Sequence, residues 1–375
     1  MNIYSLMEIE NYIDKMKDFQ ETLLEFIDND IDDITEFSNI IDFIASQKSR
    51  DEIRSILELI ANISKHHQRL PTFFTKIKQV LLQIKDEIQK NFSNYEIFRI
   101  FQGNKRLLLL LIEEEIMKPD KLIAEAIQKD KYLARDYHSY FYPEMNSFYD
   151  RKFKKKVLSE TIELQENDID KFNEKRRIGE NDYYLYELIR NDSIDEFIQY
   201  VNRCNISIKN KIRWSLFETN TYLLKNDTTM IEYSAFYGSI QIFKFLYMSQ
   251  AVLSPSLWMY AIHGRNPDII HFLEGNGVVP TDTTYEKCLT ESLKCYHKEL
   301  TDYIELNLLK KSQNDDFDIS IQGLRYKNYT YFPNDLVNES GYYYFCKYNY
   351  VYLYKILLKT TYMKINTKII LKKNF

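Results

Sequence analysis

Glycine and proline are scarce in this chain, 8 and 7 of 375 residues. So few breakers exclude a many-turned β-fold and favour long helical content. They also leave too little glycine for a phosphate cradle. No Walker A sequence occurs, and Gly275-Asn276-Gly277 lacks the strand-turn-helix context of a dinucleotide site. Cysteine is equally rare: Cys204, Cys288, Cys295 and Cys346 form no CxxC pair and no zinc-ligand spacing. Cys288 and Cys295 stand seven apart, on one helical face, and read as small buried apolar residues. This cysteine usage fits a reducing compartment, the cytoplasm or the nucleus. Long apolar runs are missing too. The longest, Leu107 to Ile112, closes at Glu113-Glu114-Glu115, far short of the ~18 residues that cross a bilayer. Glu8, Glu10 and Asp14 argue against a secretory signal over Met1 to Asp18. An excess of basic charge is also lacking. The net charge is −5, so a nucleic-acid partner is not expected. The basic run from Arg151 to Lys156 reads as a solvated face.

Catalytic constellations are absent as well. There is no HExxH, no Gly-x-Ser-x-Gly, and no glycine in the EF-hand position beside Asp30, Asp32 and Asp33. His66 and His67 are adjacent, which on a helix points their rings about 100° apart. They fit a helix C-terminus before Leu70-Pro71 better than a metal site. His263 falls in a turn region, His271 on an outer helix side and His297 in another turn, and the register gives them no shared face with Cys295. The chain therefore reads as a non-enzyme, with no cofactor, no metal and no small-molecule ligand indicated.

Aromatic residues are abundant, with 31 Tyr and 23 Phe. Codon bias in an A/T-rich genome accounts for that number, so it does not itself mark a stacking platform. More informative is an internal repeat. Tyr233 to Leu246 matches Tyr260 to Leu273 without a gap, every equivalent pair being 27 residues apart. Each unit reads as a short helix, a tight turn at Gly238-Ser239 or Arg265-Asn266, and a second helix. That second helix turns Ile242, Phe243, Phe245 and Leu246 inward, or Ile269, Ile270, Phe272 and Leu273. Looser copies run from Leu185 to Val201, from Glu291 to Ile304 and from Tyr344 to Leu358. One such hairpin cannot bury its apolar side alone, whereas stacked copies bury each other.

The units resemble ankyrin repeats, in the second-helix form carried by Gly238 to Leu246 and Asn349 to Leu358. Residues 182–310 look most like an uncharacterised ankyrin-related family expanded in some protists. Two features depart from the ankyrin pattern: the Thr-Pro-Leu-His opening is missing, and the step is 27 rather than ~33. The resemblance implies an all-α, helical-hairpin solenoid that binds a protein partner. Binding would use loop and outer first-helix positions, here Phe236, Tyr237, Trp258, Tyr260, His263 and Arg265.

The N-terminal half is helical by periodicity, at Ile53, Ile56, Leu57, Ile60 and Ile63 and again from Phe74 through Ile88, with Pro71 placed to begin a helix. Gly103 opens a helix whose Leu107, Leu108, Leu110 and Leu111 fall where Ile242, Phe243, Phe245 and Leu246 fall. The expected organisation is a helical region over 1–150, a charged linker or exposed helix over 151–180, and ankyrin-like repeats over 181–375. From about residue 71 the first region is either a run of decayed repeats or an unrelated capping bundle. Short extended structure is expected around Tyr326 to Phe332, and a loop from Ser312 to Ser320. The leading functional expectation is a non-catalytic protein-binding scaffold. The rival is an effector or enzyme whose N-terminal half carries an activity that the repeats deliver.

Overall fold

A computed structural model describes residues 3–29, 34–129, 136–165, 168–310, 318–333 and 339–359. Among these residues the regular elements are helices, joined by irregular segments of which 204–220 is the longest. An isolated bridge pairs Lys211 with Thr229, and none of the helices is long and apolar enough to cross a membrane. The acidic cluster Asp30, Asp32 and Asp33 lies outside the described residues, as does most of the expected loop from Ser312.

The helices, in chain order, are α1 (Ile3–Asp28), α2 (Ile34–Ala45), α3 (Arg50–His66), α4 (Phe73–Gln83), α5 (Lys85–Asn91), α6 (Asn94–Phe101), α7 (Lys105–Glu113), α8 (Lys121–Lys129), α9 (Tyr137–Tyr140) and α10 (Tyr142–Met145). They continue with α11 (Arg151–Glu160), α12 (Ile162–Gln165), α13 (Ile169–Ile178), α14 (Tyr184–Arg190), α15 (Ile194–Arg203), α16 (Thr221–Lys225), α17 (Met230–Tyr237) and α18 (Ile240–Met248). The last are α19 (Leu257–Gly264), α20 (Pro267–Gly275), α21 (Glu286–Lys294), α22 (Lys298–Tyr303), α23 (Ile319–Tyr326), α24 (Glu339–Lys347) and α25 (351–359).

The chain divides into two compact units, and the division does not follow sequence halves. One comprises 1–63, 69–84 and 312–375; the other comprises 64–68 and 85–311. In the first unit, Ile9, Met16, Phe19, Leu23 and Phe26 recur at helical spacing along α1 and are buried. Gln20 lies on that same face. Its amide donates to Asn328 Oδ1 at 2.9 Å, and its carbonyl oxygen accepts from the Tyr329 backbone at 2.9 Å. Tyr329–Tyr331 is a 3-10 turn following α23, not the extended piece expected there. The amphipathic stripe from Phe74 to Ile88 is broken at Ile84, so α4 and α5 are separate helices.

The second unit holds the repeat. Helices α14–α15, α17–α18, α19–α20 and α21–α22 are consecutive hairpins. First helices pack in the order α14, α17, α19, α21, and second helices α15, α18 and α20 pack likewise. Ile242 and Ile269 are fully buried on adjacent second helices, and Phe243 meets Phe272 edge to face at 5.4 Å. The turns share a backbone device. A residue in the left-handed region stands directly before the N-cap of each second helix: Asp192, Gly238, Arg265 and Tyr296. That conformation closes the first helix and redirects the chain. Lys327 and Asn349 take it in the first unit.

The described residues of 151–179 form helices α11–α13, whose positions are mostly exposed or half-exposed and which pack through a few buried side chains. Phe172 and Arg176 of α13 are buried, and Arg176 donates to Tyr140 O and to both Glu144 oxygens at 2.8 Å. Lysines of α11 do face solvent.

Candidate functional site

Side chains at the hairpin turns tie each unit to the one before it. Ser239 Oγ donates to Ile189 O at 2.5 Å, and Asn266 Nδ2 to Gly238 O at 2.8 Å. His297 Nδ1 bonds to Ile262 O at 3.0 Å, His67 Nδ1 to Cys295 O at 2.8 Å, and Asn104 Nδ2 to Ser64 O at 2.6 Å. Ser239, Asn266, His297 and Asn104 are N-caps of α18, α20, α22 and α7. Each therefore bonds a carbonyl at or just past the end of an earlier helix, where backbone oxygens lack an intrahelical partner. Ser239 makes no cap bond of its own. Asp192, from the preceding turn, accepts from the Gln241 and Ile242 amides instead, at 3.0 and 2.9 Å.

This close stacking decides the fate of the expected binding residues. Trp258 is wholly buried, its indole N–H donating to Val278 O at 2.6 Å. Tyr260, Phe236 and His263 are buried as well, because neighbouring first helices cover the positions expected to face outward. Tyr237 is partly covered and donates its hydroxyl to Glu180, and Arg265 is partly covered at the left-handed turn position. The six residues do not form one open surface.

Beneath them lies a buried polar cluster. His263 Nε2 meets Glu291 Oε1 at 2.9 Å, and Lys294 Nζ donates to the same oxygen at 2.6 Å. Cys295 Sγ sits 3.5 Å from His263 Nδ1 and 3.9 Å from Nε2. Tyr222 and Phe236 flank the imidazole, with ring centroids at 4.5 and 4.8 Å. The rings of His67 and His297 pack edge to face at 5.1 Å nearby. Burial alone pushes the Glu291 carboxyl up, but the His263 hydrogen bond and charge, joined by Lys294, outweigh it and hold the group down to about 2. Burial, then the Glu291 charge, push the Cys295 thiol well up. His66 is pulled down by burial and then by Lys294, Lys65 and His263. The expectation that His263 and Cys295 share no face does not hold. Helical register relates residues only within single hairpins, and these residues meet between two. His271 does stay apart, exposed and paired with Glu274 at 3.1 Å.

Among the clefts of the second unit's described residues is a groove of about 730 Å³ beside α14, α15 and the loop after them. Tyr183, Tyr184, Tyr200, Lys209, Lys211 and Arg213 line it. The loop is pinned behind by Asn181 Nδ2, which donates to Arg213 O at 2.8 Å, and by the Ile212 amide, which donates to Thr228 O at 2.8 Å. The Arg213 amide also donates to Tyr186 Oη at 2.8 Å, and its guanidinium lies 5.8 Å from the Tyr183 ring centroid. Tyr184 packs edge to face on Tyr200 at 5.2 Å. None of the described residues lining the groove is acidic. Sequence reading missed this site. Its one available signal was the closeness in sequence of Lys209, Lys211 and Arg213, and no periodicity announces their meeting because Lys209 stands in a turn closed by the Asn210 amide on Ser207 O.

Compared with protein-family models, curated proteins and solved structures, the chain finds no match among any of the three.

Proposed function

We propose that the chain is a non-catalytic scaffold of divergent ankyrin-like hairpins whose groove receives an acidic segment of a protein partner. The repeating left-handed turn and the bonds from each N-cap to an earlier carbonyl support the repeat reading. The observation that carries the binding reading is the groove itself. In a chain of net charge −5, its lining gathers three cations and a set of tyrosines and no acidic residue among those described, the nearest carboxylates being Asp227 on Lys211 and Glu196 on the Tyr184 hydroxyl. Tyrosine and arginine supply large contact area and charge-assisted hydrogen bonds at interfaces. Among the described residues Lys211 pairs with Asp227, at 2.6 Å, where both are largely exposed, so a ligand carboxylate competes for it at little cost. Complementary charge would act mainly on encounter rate and partner choice.

The test is fluorescence anisotropy with a short labelled acidic peptide, a basic peptide of equal length, and oligothymidylate. The acidic peptide is expected to bind, with affinity falling as salt rises. Reversing Lys209, Lys211 and Arg213 to Glu together should weaken it by at least about tenfold, one decade being ~1.4 kcal/mol. Binding untouched by that triple change moves the partner surface elsewhere. Preference for oligothymidylate replaces the protein partner with a nucleic acid.

A further inference from the structure

We infer that His263, Glu291 and Cys295 form a binding site for zinc, which would tie α19 to α21 across two hairpins. Their candidate ligand atoms all lie within 4.8 Å of one another, and all three residues are buried. Glu291 and Cys295 stand four apart at the end of α21, so both face α19, where His263 lies in the last turn. The donor set is one imidazole, one sulfur and one carboxylate. Sulfur and nitrogen select zinc over magnesium or calcium, which prefer all-oxygen shells.

Two of the three ligand pairs need little movement, and the third, Sγ to the carboxylate, lies within 4.8 Å. Tetrahedral bonds of ~2.0 Å to nitrogen and oxygen and ~2.3 Å to sulfur place the ligand atoms roughly 3.2 to 3.6 Å apart. Here Nε2 and Oε1 are 2.9 Å apart, and Sγ and Nε2 are 3.9 Å apart. The first pair opens and the second closes by a few tenths of an ångström. Tyr222 and Phe236 hold the imidazole between their rings, which limits its rotation. Lys294 now bonds to the oxygen the ion would take, and its side chain is 16% exposed, so it has a route toward solvent. On binding, the Cys295 S–H bond breaks, sulfur keeps the electron pair as thiolate and bonds to zinc, and the proton leaves to solvent. Three protein ligands leave the fourth tetrahedral position to water.

The experiment uses the full chain with cobalt(II) as the spectroscopic stand-in, followed by zinc. One equivalent of cobalt should produce a near-ultraviolet thiolate-to-cobalt band and tetrahedral visible bands, and zinc should abolish both. The band should persist in a variant with Cys204→Ser and Cys346→Ser, which changes the two exposed thiols, and in Cys288→Ser. It should vanish in Cys295→Ser and weaken at least tenfold in Glu291→Gln. Because a core variant can misfold, X-ray absorption of the zinc-loaded wild-type protein gives a second reading. One sulfur at ~2.3 Å with nitrogen and oxygen neighbours is expected. No cobalt band, a band lost with the exposed thiols, or zinc bound by no sulfur or by two overturns the proposal.

Discussion

A β-carbon placed on Gly264 would fall 2.0 Å from the carbonyl oxygen of Ala235 and 2.9 Å from the Gly238 amide. These contacts are backbone, so no side chain can swing aside, and α17 and α19 must part to admit even a methyl group. Gly264→Ala is therefore expected to cost roughly 3 kcal/mol or more, in the upper range of overpacking and strain. Gly275 is the control. It also ends its helix, yet an added β-carbon there meets nothing within 4 Å. Gly275→Ala should be neutral or stabilising by up to about 1 kcal/mol. Equilibrium urea unfolding of the two variants separates close approach from the general cost of losing a glycine.

Asn266 has two tasks that a pair of substitutions can divide. Its Oδ1 accepts from the Asp268 and Ile269 amides, and its Nδ2 donates to Gly238 O in the previous turn. Serine keeps the capping oxygen but is too short to do both. Asn266→Ser should cost about 1 kcal/mol, the scale of one net hydrogen bond. Asn266→Ala, which also loses the cap, should cost roughly 1 kcal/mol more. No loss in Asn266→Ser in thermal unfolding would mean the link to Gly238 contributes nothing, and equal losses in the two variants would mean the same of the cap.

The hairpins were readable because apolar spacing and the 27-residue step report on packing within a hairpin. Ile242, Ile269, Leu246 and Leu273 are buried as their positions required. The turns were half readable. Gly238 announces a left-handed residue, but Arg265, Tyr296 and Asp192 take that conformation without a glycine to mark it. What sequence did not show lies between hairpins. The meeting of His263 with Glu291 and Cys295 depends on how far two helices approach, and Gly264 governs the neighbouring approach without any periodic signature. The same stacking covered Trp258 and Tyr260. The groove was invisible for a different reason: Lys211 and Arg213 line it because hydrogen bonds of Ile212 and Arg213 hold that stretch in place, and Lys209 joins them from the turn closed by the Asn210 amide on Ser207 O.

Lys105 should tolerate loss of charge poorly unless Asp136 changes with it. The two side chains are buried and meet at 2.9 Å, while the ammonium also donates to Leu216 O at 3.1 Å and lies 4.9 Å from the Tyr140 ring centroid. Lys105→Met removes the cation and leaves a buried carboxylate without it, which typically costs ~3–5 kcal/mol. Adding Asp136→Leu should recover much of that, since replacing both charges by apolar groups is often close to neutral. Additive losses in a double-mutant cycle would show that the ion pair is not the coupled element of α7 and the segment before α9.

Acid should unfold the second unit in a way Glu291 explains. Its folded carboxyl is held down to about 2, below the ~4.3 of an unfolded glutamate. A depressed folded value means the unfolded chain binds the proton first. The stabilisation is therefore full above pH ~4.3 and drains away as pH falls from there toward 2. His66 works in the same direction from a higher starting point: burial pulls it below the ~6.5 of a free imidazole, so it resists folding once pH drops under that value. Wild-type stability should thus decline in two stages on acidification, first below ~6.5 and more steeply below ~4.3. Glu291→Gln should lower stability at neutral pH and flatten the lower stage, while His66→Gln should flatten only the upper one. Urea midpoints measured across pH 2 to 8 check both, and a lower stage unchanged in Glu291→Gln would assign it to other carboxylates.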